Sequence, residues 1–220
     1  MTVIAIDGPS GSGKSTVAKT IAKRAGWAYL DTGAMYRAAA VWAERAGALD
    51  RPEVLPQLVR TMPLKVPLDP GDQRIYLGDE DISELIRTSF VSALVSRVST
   101  VIPVRHVLVA LQQQIVAEHR AAGIVVEGRD ITTVVAPDAD VRVLLTASPQ
   151  VRLTRRALDQ LGQADAAALA ATEDEVHRRD RDDSTVAEFM TAPPGVTPID
   201  SSELDIEQTV QAVLALVPVS

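Results

Sequence analysis

The chain of 220 residues contains no cysteine. Disulfides, thiolate metal sites and a cysteine nucleophile are thereby excluded, and a reducing, cytoplasmic setting is expected. No run approaches the roughly 18 consecutive apolar residues that a membrane span requires. The longest apolar-rich segment, VQAVLALVPV near the end, reads as a terminal amphipathic helix. The opening apolar stretch VIAID has no basic region before it, so no signal peptide is expected there. The net charge of −7 lacks the basic surplus with which a duplex nucleic acid binder displaces counterions. His106, His119 and His177 have no metal-ligand spacing and are assigned to surface or helix packing. There is no internal repeat and no extended apolar seam, which implies a monomer.

What is present reads as an ordinary globular chain. Apolar residues make up 46% and charged residues 23%, enough for one sizeable core with small insertions. Strand-length apolar runs (VIAID, WAYLD, GIVVEG, DVRVLLTA and the shorter TPID) alternate with helical patterns. The helix KSTVAKTIAKRA stops at Gly26, and TGAMYRAAAVWAERA is likewise ended by glycine. Ser148 followed by Pro149 marks one helix start, and Asp205 with Gln208 three residues on marks another as a capping box. Continuous apolar strands alternating with helices specify an α/β fold with a parallel sheet covered on both faces. Two stretches break this rhythm. Residues 63–83 alternate with period two around DPGD and GDED, predicting a small antiparallel insert. Residues 162–185 are alanine-rich and then densely charged, predicting a mobile helical lid.

The stretch GPSGSGKS, Gly8 to Ser15, satisfies G-x-x-x-x-G-K-[ST] at every defined position. With glycine near 7% of residues, a chance match in this length is on the order of 1%, and the flanking strand and helix lower it further. Gly8, Gly11 and Gly13 allow backbone N–H groups to curl around a phosphate, and the following helix adds its N-terminal dipole. Lys14 reaches the β- and γ-phosphates, and the Ser15 hydroxyl is a Mg²⁺ ligand. Pro9, Ser10, Ser12 and Thr16 complete the expected ATP-binding loop.

The chain has no asparagine, so the N-K-x-D element that reads guanine in GTPase switches is absent. The apolar run GIVVEGRD ends in an acid and then Arg129, which suits a second bound phosphate better than a hydrolytic water. In LDTGAMYR, the residues Thr32, Tyr36 and Arg37 open a helix near the carboxyl edge of the sheet. Their helical angles let a hydroxyl, a ring and a guanidinium face one site. A packed tyrosine with a solvent-facing arginine is the alternative.

The order and spacing of DGPSGSGKST, LDTGAMYR, EGRDITTVV and RRDRDDST resemble the bacterial cytidylate kinases, nucleoside monophosphate kinases of the P-loop fold. The resemblance runs from residue 3 to about 210. It implies a P-loop kinase core over residues 1–62 and 99–220, a lid at about 157–185, and a nucleotide-monophosphate insert over 63–98. It implies transfer of the ATP γ-phosphoryl group to CMP or dCMP with Mg²⁺. By the same resemblance, Ser96, Arg105 and Asp130 face the cytosine, and Arg37 and Arg129 hold the acceptor phosphate. Asp183 meets the ribose beside Arg179, and Arg155 and Arg156 flank the transferring group. A carboxylate at Asp130 suits the choice of base, because it accepts from the N4 amino group of cytosine and repels the uracil carbonyl.

The sequence departs from the family pattern at three places. Val186 stands where an arginine is usual, with Arg178 or Arg181 as candidate substitutes, and weaker acceptor binding is expected. Thr132 and Ala136 replace the usual glycine and phenylalanine and are read as packing changes. Two alternatives remain open at this point. One is a P-loop kinase for another small acceptor, such as UMP. The other is an ATP-binding regulatory module without transferase activity.

Overall fold

Val3 to Asp7 form the central strand β1, and all five residues are buried. Ile4 and Ile6 pack on one face of the sheet against Ile21 and Val210, while Val3 and Ala5 pack on the other against Met35 and Val126. The period of two thus feeds two cores at once, which is why the run is continuously apolar until Asp7. The structure, a computed structural model, describes residues 2–72 and 74–218.

Helix α1 (Lys14–Ala25) follows the phosphate loop and ends at Gly26, whose φ of 68° lets its N–H return to the Ala22 carbonyl. Strand β2 (Ala28–Asp31) leads directly into α2 (Thr32–Arg45), where the Asp31 carboxylate accepts the Ala34 N–H at 2.8 Å as the cap. After α3 (Leu55–Arg60), short strands β3 (Leu64–Lys65), β4 (Tyr76–Leu77) and β5 (Glu80–Asp81) form the expected antiparallel sheet. A 3-10 turn (Leu85–Arg87), α4 (Ser89–Leu94) and α5 (Ser96–Ser99) connect it to α6 (Ile102–His119). Leu77, Ile82, Ile86 and Val91 share one apolar cluster with α2, α3 and α6. The insert therefore packs directly onto the helices beside it.

Strand β6 (Ile124–Gly128), a π-helical turn (Ile131–Val135) and β7 (Val141–Thr146) follow. Helix α7 (Pro149–Leu161) is capped by Ser148, and α8 (Ala166–Asp183) by Asp165. Strand β8 (Thr197–Asp200) and α9 (Ile206–Leu214) end the fold, with the Asp205–Gln208 capping box formed as expected. The helix read from VQAVLALVPV stops at Leu214, and Val219 lies outside the described residues. The polarity of the lid segment hides a narrow packed stripe: Ala168, Thr172, Val176 and Asp180, spaced by four, are buried.

The five long strands are parallel in the order β2-β6-β1-β7-β8. Asp7 at the end of β1 registers with Gly128 of β6 and Leu144 of β7. The chain leaves β1 for the outer strand and returns through β6 before crossing to β7. That switch point puts the loops after β1 and β6 side by side at the carboxyl edge, where doubly wound sheets bind ligands.

Candidate active site

The phosphate loop is braced from behind. A side chain on Gly11, whose φ is 75°, would run into the backbone oxygen of Arg152. Arg152 donates to the Ser10 carbonyl at 2.9 Å and to Asp180 at 2.5 Å, and the Ser10 N–H donates to Asp180 at 3.1 Å. Arg129 donates to the Gly8 carbonyl, and the Lys14 ammonium to the Pro9 carbonyl at 3.3 Å. The Ser12 N–H also bonds the Pro9 carbonyl, at 3.3 Å. These contacts engage the Gly8, Pro9 and Ser10 carbonyls and leave the concave side of the loop to an anion.

Beneath the loop lies a buried oxygen cluster. The Ser15 hydroxyl donates to Glu127 at 2.6 Å, Tyr29 donates to the same carboxylate at 3.3 Å, and Thr32 donates to the Glu127 carbonyl at 2.8 Å. Burial, and then the neighbouring Asp31 charge, push the Glu127 carboxyl above its ordinary value. Burial acts the same way on Asp31. There Arg37, at 3.1 Å, with the Ala34 N–H and two lysines outweighs it and holds the group below its ordinary value. Burial also lowers Lys19, which lines the cavity one turn after Ser15.

At the other end, Arg105 and Asp130 form an ion pair only 9% and 6% exposed. Arg105 also donates to the Ser99 carbonyl at 3.2 Å, and its guanidinium lies 5.6 Å from the centre of the Tyr36 ring. Burial raises the Asp130 carboxyl despite that partner. Tyr36 Oη, Ser99 Oγ and Arg37 Nε are buried without a hydrogen-bond partner among the described residues. Unpaired polar atoms in such a place are costly unless a ligand meets them.

One cavity of about 720 Å³ joins the two ends. From the loop, Ser10, Gly11, Gly13, Lys14, Ser15 and Thr16 line it. Thr32, Tyr36 and Arg37 line it from α2, and Arg105 from α6. Arg129, Asp130, Arg156 and Asp183 line it as well. Gly8, Pro9 and Ser12 form the back of the loop. The Asp183 carboxylate accepts from Arg129 Nε at 3.0 Å, and that guanidinium covers the Phe189 ring at 4.7 Å.

Not every expected residue lies on the cavity wall. Ser96 is not on the cavity wall; Ser92 of α4 and Ser99 of α5 are. Arg155 faces away and straps the loop to the segment after β8. It donates to the Ser12 carbonyl at 3.3 Å and to the Ser201 hydroxyl and carbonyl at 2.8 Å each. Arg178 and Arg181, the candidate substitutes for Val186, are exposed and off the wall. The side chain of Arg179 lies outside the described residues. Arg87, Lys19 and Glu127 are wall residues that the sequence reading left unassigned. For Glu127 a signal existed in the acid that closes GIVVE, but its pairing with Ser15 spans 112 positions.

The family model for cytidylate kinase matches residues 4–219. The chain belongs to the cytidylate kinase family. A cytidylate kinase from Cutibacterium acnes is 44% identical over 220 residues, covering 99% of this chain and 96% of its own. One from Rhodococcus opacus is 43% identical over 218 residues, covering 98% and 94%. Membership makes the chain a kinase, and its architecture is that of the P-loop kinases. A solved structure of an uncharacterised protein from Eubacterium ventriosum shares the fold, with a TM-score of 0.53 at 11% identity, covering 99% of this chain and 98% of its own. Among the described residues, no single helix is long and apolar enough to cross a membrane.

Proposed function

We propose that the cavity transfers the γ-phosphoryl group of ATP to CMP or dCMP, giving ADP and CDP or dCDP. The observation that carries this reading is the continuity of the cavity: a phosphate cradle at one end, a buried Arg105–Asp130 pair at the other.

In this reading the N–H groups of Gly11, Gly13, Lys14 and Ser15, with the Lys14 ammonium, hold the donor's β- and γ-phosphates. Arg37 and Arg129 hold the acceptor phosphate, one of whose oxygens attacks the γ-phosphorus in line. The new O–P bond forms as the bond to the β-phosphate oxygen breaks and ADP leaves. The acceptor oxygen is already anionic near neutral pH, so no general base is required. Arg156 and Lys14 stabilise charge on the transferring group, and catalysis rests on positioning and neutralisation. Asp183 meets the ribose.

Asp130 accepts from the cytosine N4 amino group, Arg105 donates to the O2 and N3 acceptors, and the Ser99 and Tyr36 hydroxyls supply the remaining polar surface. Uracil would set a carbonyl oxygen against the Asp130 carboxylate, and a buried mismatch of that kind discriminates by about 10⁴.

The oxygen cluster fits Mg²⁺. A hydroxyl and two nearby carboxylates are hard donors, too few for an all-protein cage, which suits an ion that keeps waters and substrate phosphates as ligands. Ser15 would hold the ion, with Glu127 and Asp31 around it. There it would supply positive charge to neutralise the donor's phosphates. The chain acts as a monomer on free nucleotides.

An ADP-release assay with CMP, dCMP, UMP and AMP tests the reading. Turnover of CMP and dCMP should exceed that of UMP and AMP by about 10³ or more, and Asp130→Asn should narrow the gap to UMP. Equal turnover of UMP or AMP by the wild-type protein would refute it.

A further inference from the structure

Asp7 closes β1 immediately before the phosphate loop and is 2% exposed. Its carboxylate accepts three bonds from one neighbouring turn. The Ile131 N–H donates to Oδ1 at 2.8 Å, the Thr132 N–H to Oδ2 at 2.8 Å, and the Thr132 hydroxyl to Oδ2 at 2.6 Å. The turn itself is π-helical, with the Val134 and Val135 N–H groups returning to the Asp130 carbonyl at 2.9 and 3.2 Å. Its first N–H groups have no acceptor within the turn, and Asp7 takes them. Thr132 is 1% exposed and does not reach the cavity wall. Reading it as a packing residue overlooks its hydroxyl.

We infer that Thr132 is a positioning residue for pyrimidine selection: through Asp7 it fixes the turn that presents Asp130 to the base. The inference rests on the reading of Asp130 given above. An aspartate has only two side-chain torsions, so the backbone of residues 129–132 decides where its carboxylate lies. That backbone hangs on Asp7, while Arg129 from the same turn reaches the Gly8 carbonyl. The donor cradle and the base-reading carboxylate are thus registered against one buried group. A hydrogen bond is steep in distance and angle, and the contrast between an amino group and a carbonyl depends on the carboxylate staying in line with the base edge. Removing the hydroxyl leaves the turn on two backbone bonds and blunts that contrast, while the donor loop stays held by Arg152 and Asp180.

The test compares wild type, Thr132→Val, Thr132→Ala and Thr132→Ser for steady-state kinetics with CMP and UMP, and for thermal unfolding. Thr132→Val keeps the shape and deletes the hydroxyl; Thr132→Ala repeats the deletion should valine prevent folding. The expected result for either is a CMP KM raised about tenfold and a CMP-to-UMP preference reduced by about the same factor. Both kcat and the ATP KM should stay within about twofold of wild type, the signature of lost acceptor binding alone. Thr132→Ser, which keeps the donor, should retain the wild-type preference. A lowered melting temperature with unchanged preference would overturn the inference. So would an equal loss in the serine variant, because the methyl group would then be responsible. Wild-type protein without a preference for CMP would refute the role of Asp130 itself, and this inference with it.

Discussion

The Asp180 carboxylate of α8 accepts a hydrogen bond from the backbone N–H of Ser10, 3.1 Å away, so the last turns of the helix read as a lid are tied to the phosphate loop. The same carboxylate holds Arg152 at 2.5 Å, and Arg152 in turn holds the Ser10 carbonyl. Asp180→Ala therefore strands a buried guanidinium and should cost about 3 kcal/mol of stability. The ATP KM should rise as the loop loosens. Urea unfolding checks the first part; a midpoint equal to wild type would mean the tie carries no stability.

Arg155 and Arg156 are neighbours in sequence with different surroundings. Arg155→Ala removes a strap to Ser12 and Ser201 and should cost about 1–2 kcal/mol of stability, with kcat changed only severalfold. Arg156→Ala removes a charge from the cavity and should lower kcat by about 10² or more. Measuring kcat and the unfolding midpoint on both variants separates the roles; the reverse pattern would refute the assignment.

Val186 follows α8, and its N–H donates to the Asp183 carbonyl at 3.1 Å. An arginine there would add a charge-assisted donor beside the acceptor site. Val186→Arg should lower the CMP KM and leave the ATP KM unchanged. An unchanged CMP KM in the steady state would show that the acceptor phosphate is already fully held.

Glu207 on α9 pairs with Arg24 on α1 at 2.5 and 2.8 Å, and the Arg24 guanidinium, followed by Gln211, draws its carboxyl down to about 2. A carboxyl lowered on folding contributes stability above its ordinary value of 4.5, and that contribution is lost as pH falls toward 2. Arg24→Ala should therefore be less stable than wild type at pH 7, with the difference closing between pH 4.5 and 2. Both side chains are about half exposed, so 1 M salt should shrink the difference at every pH. Unfolding curves across this range are the check. A difference that persists unchanged at pH 2 would assign it to packing.

Local features were legible because their causes are local. The run VIAID, the glycine that stops α1, the Ser148 cap and the Asp205–Gln208 box each express a constraint acting within a few residues. The phosphate loop belongs with them: its glycines, its lysine and the helix that follows are contiguous, so spacing alone specifies the cradle. The alternation of strands and helices likewise carried the parallel sheet.

The rest depended on what the sheet order brings together. Ser15 meets Glu127 and Asp7 meets Thr132 only because β6 lies beside β1, across 112 and 125 positions of chain. Arg155 and Arg156 were indistinguishable as letters. Successive helical residues point about 100° apart, so one faces the cavity and the other the strap once α7 is docked. Ser99 stands on the cavity wall and Ser96 does not, a choice made by how these short helices dock. Residue spacing determined the chemistry at hand; which side chains share the cavity was decided by packing, because contacts between distant segments exist only after the strands have taken their places.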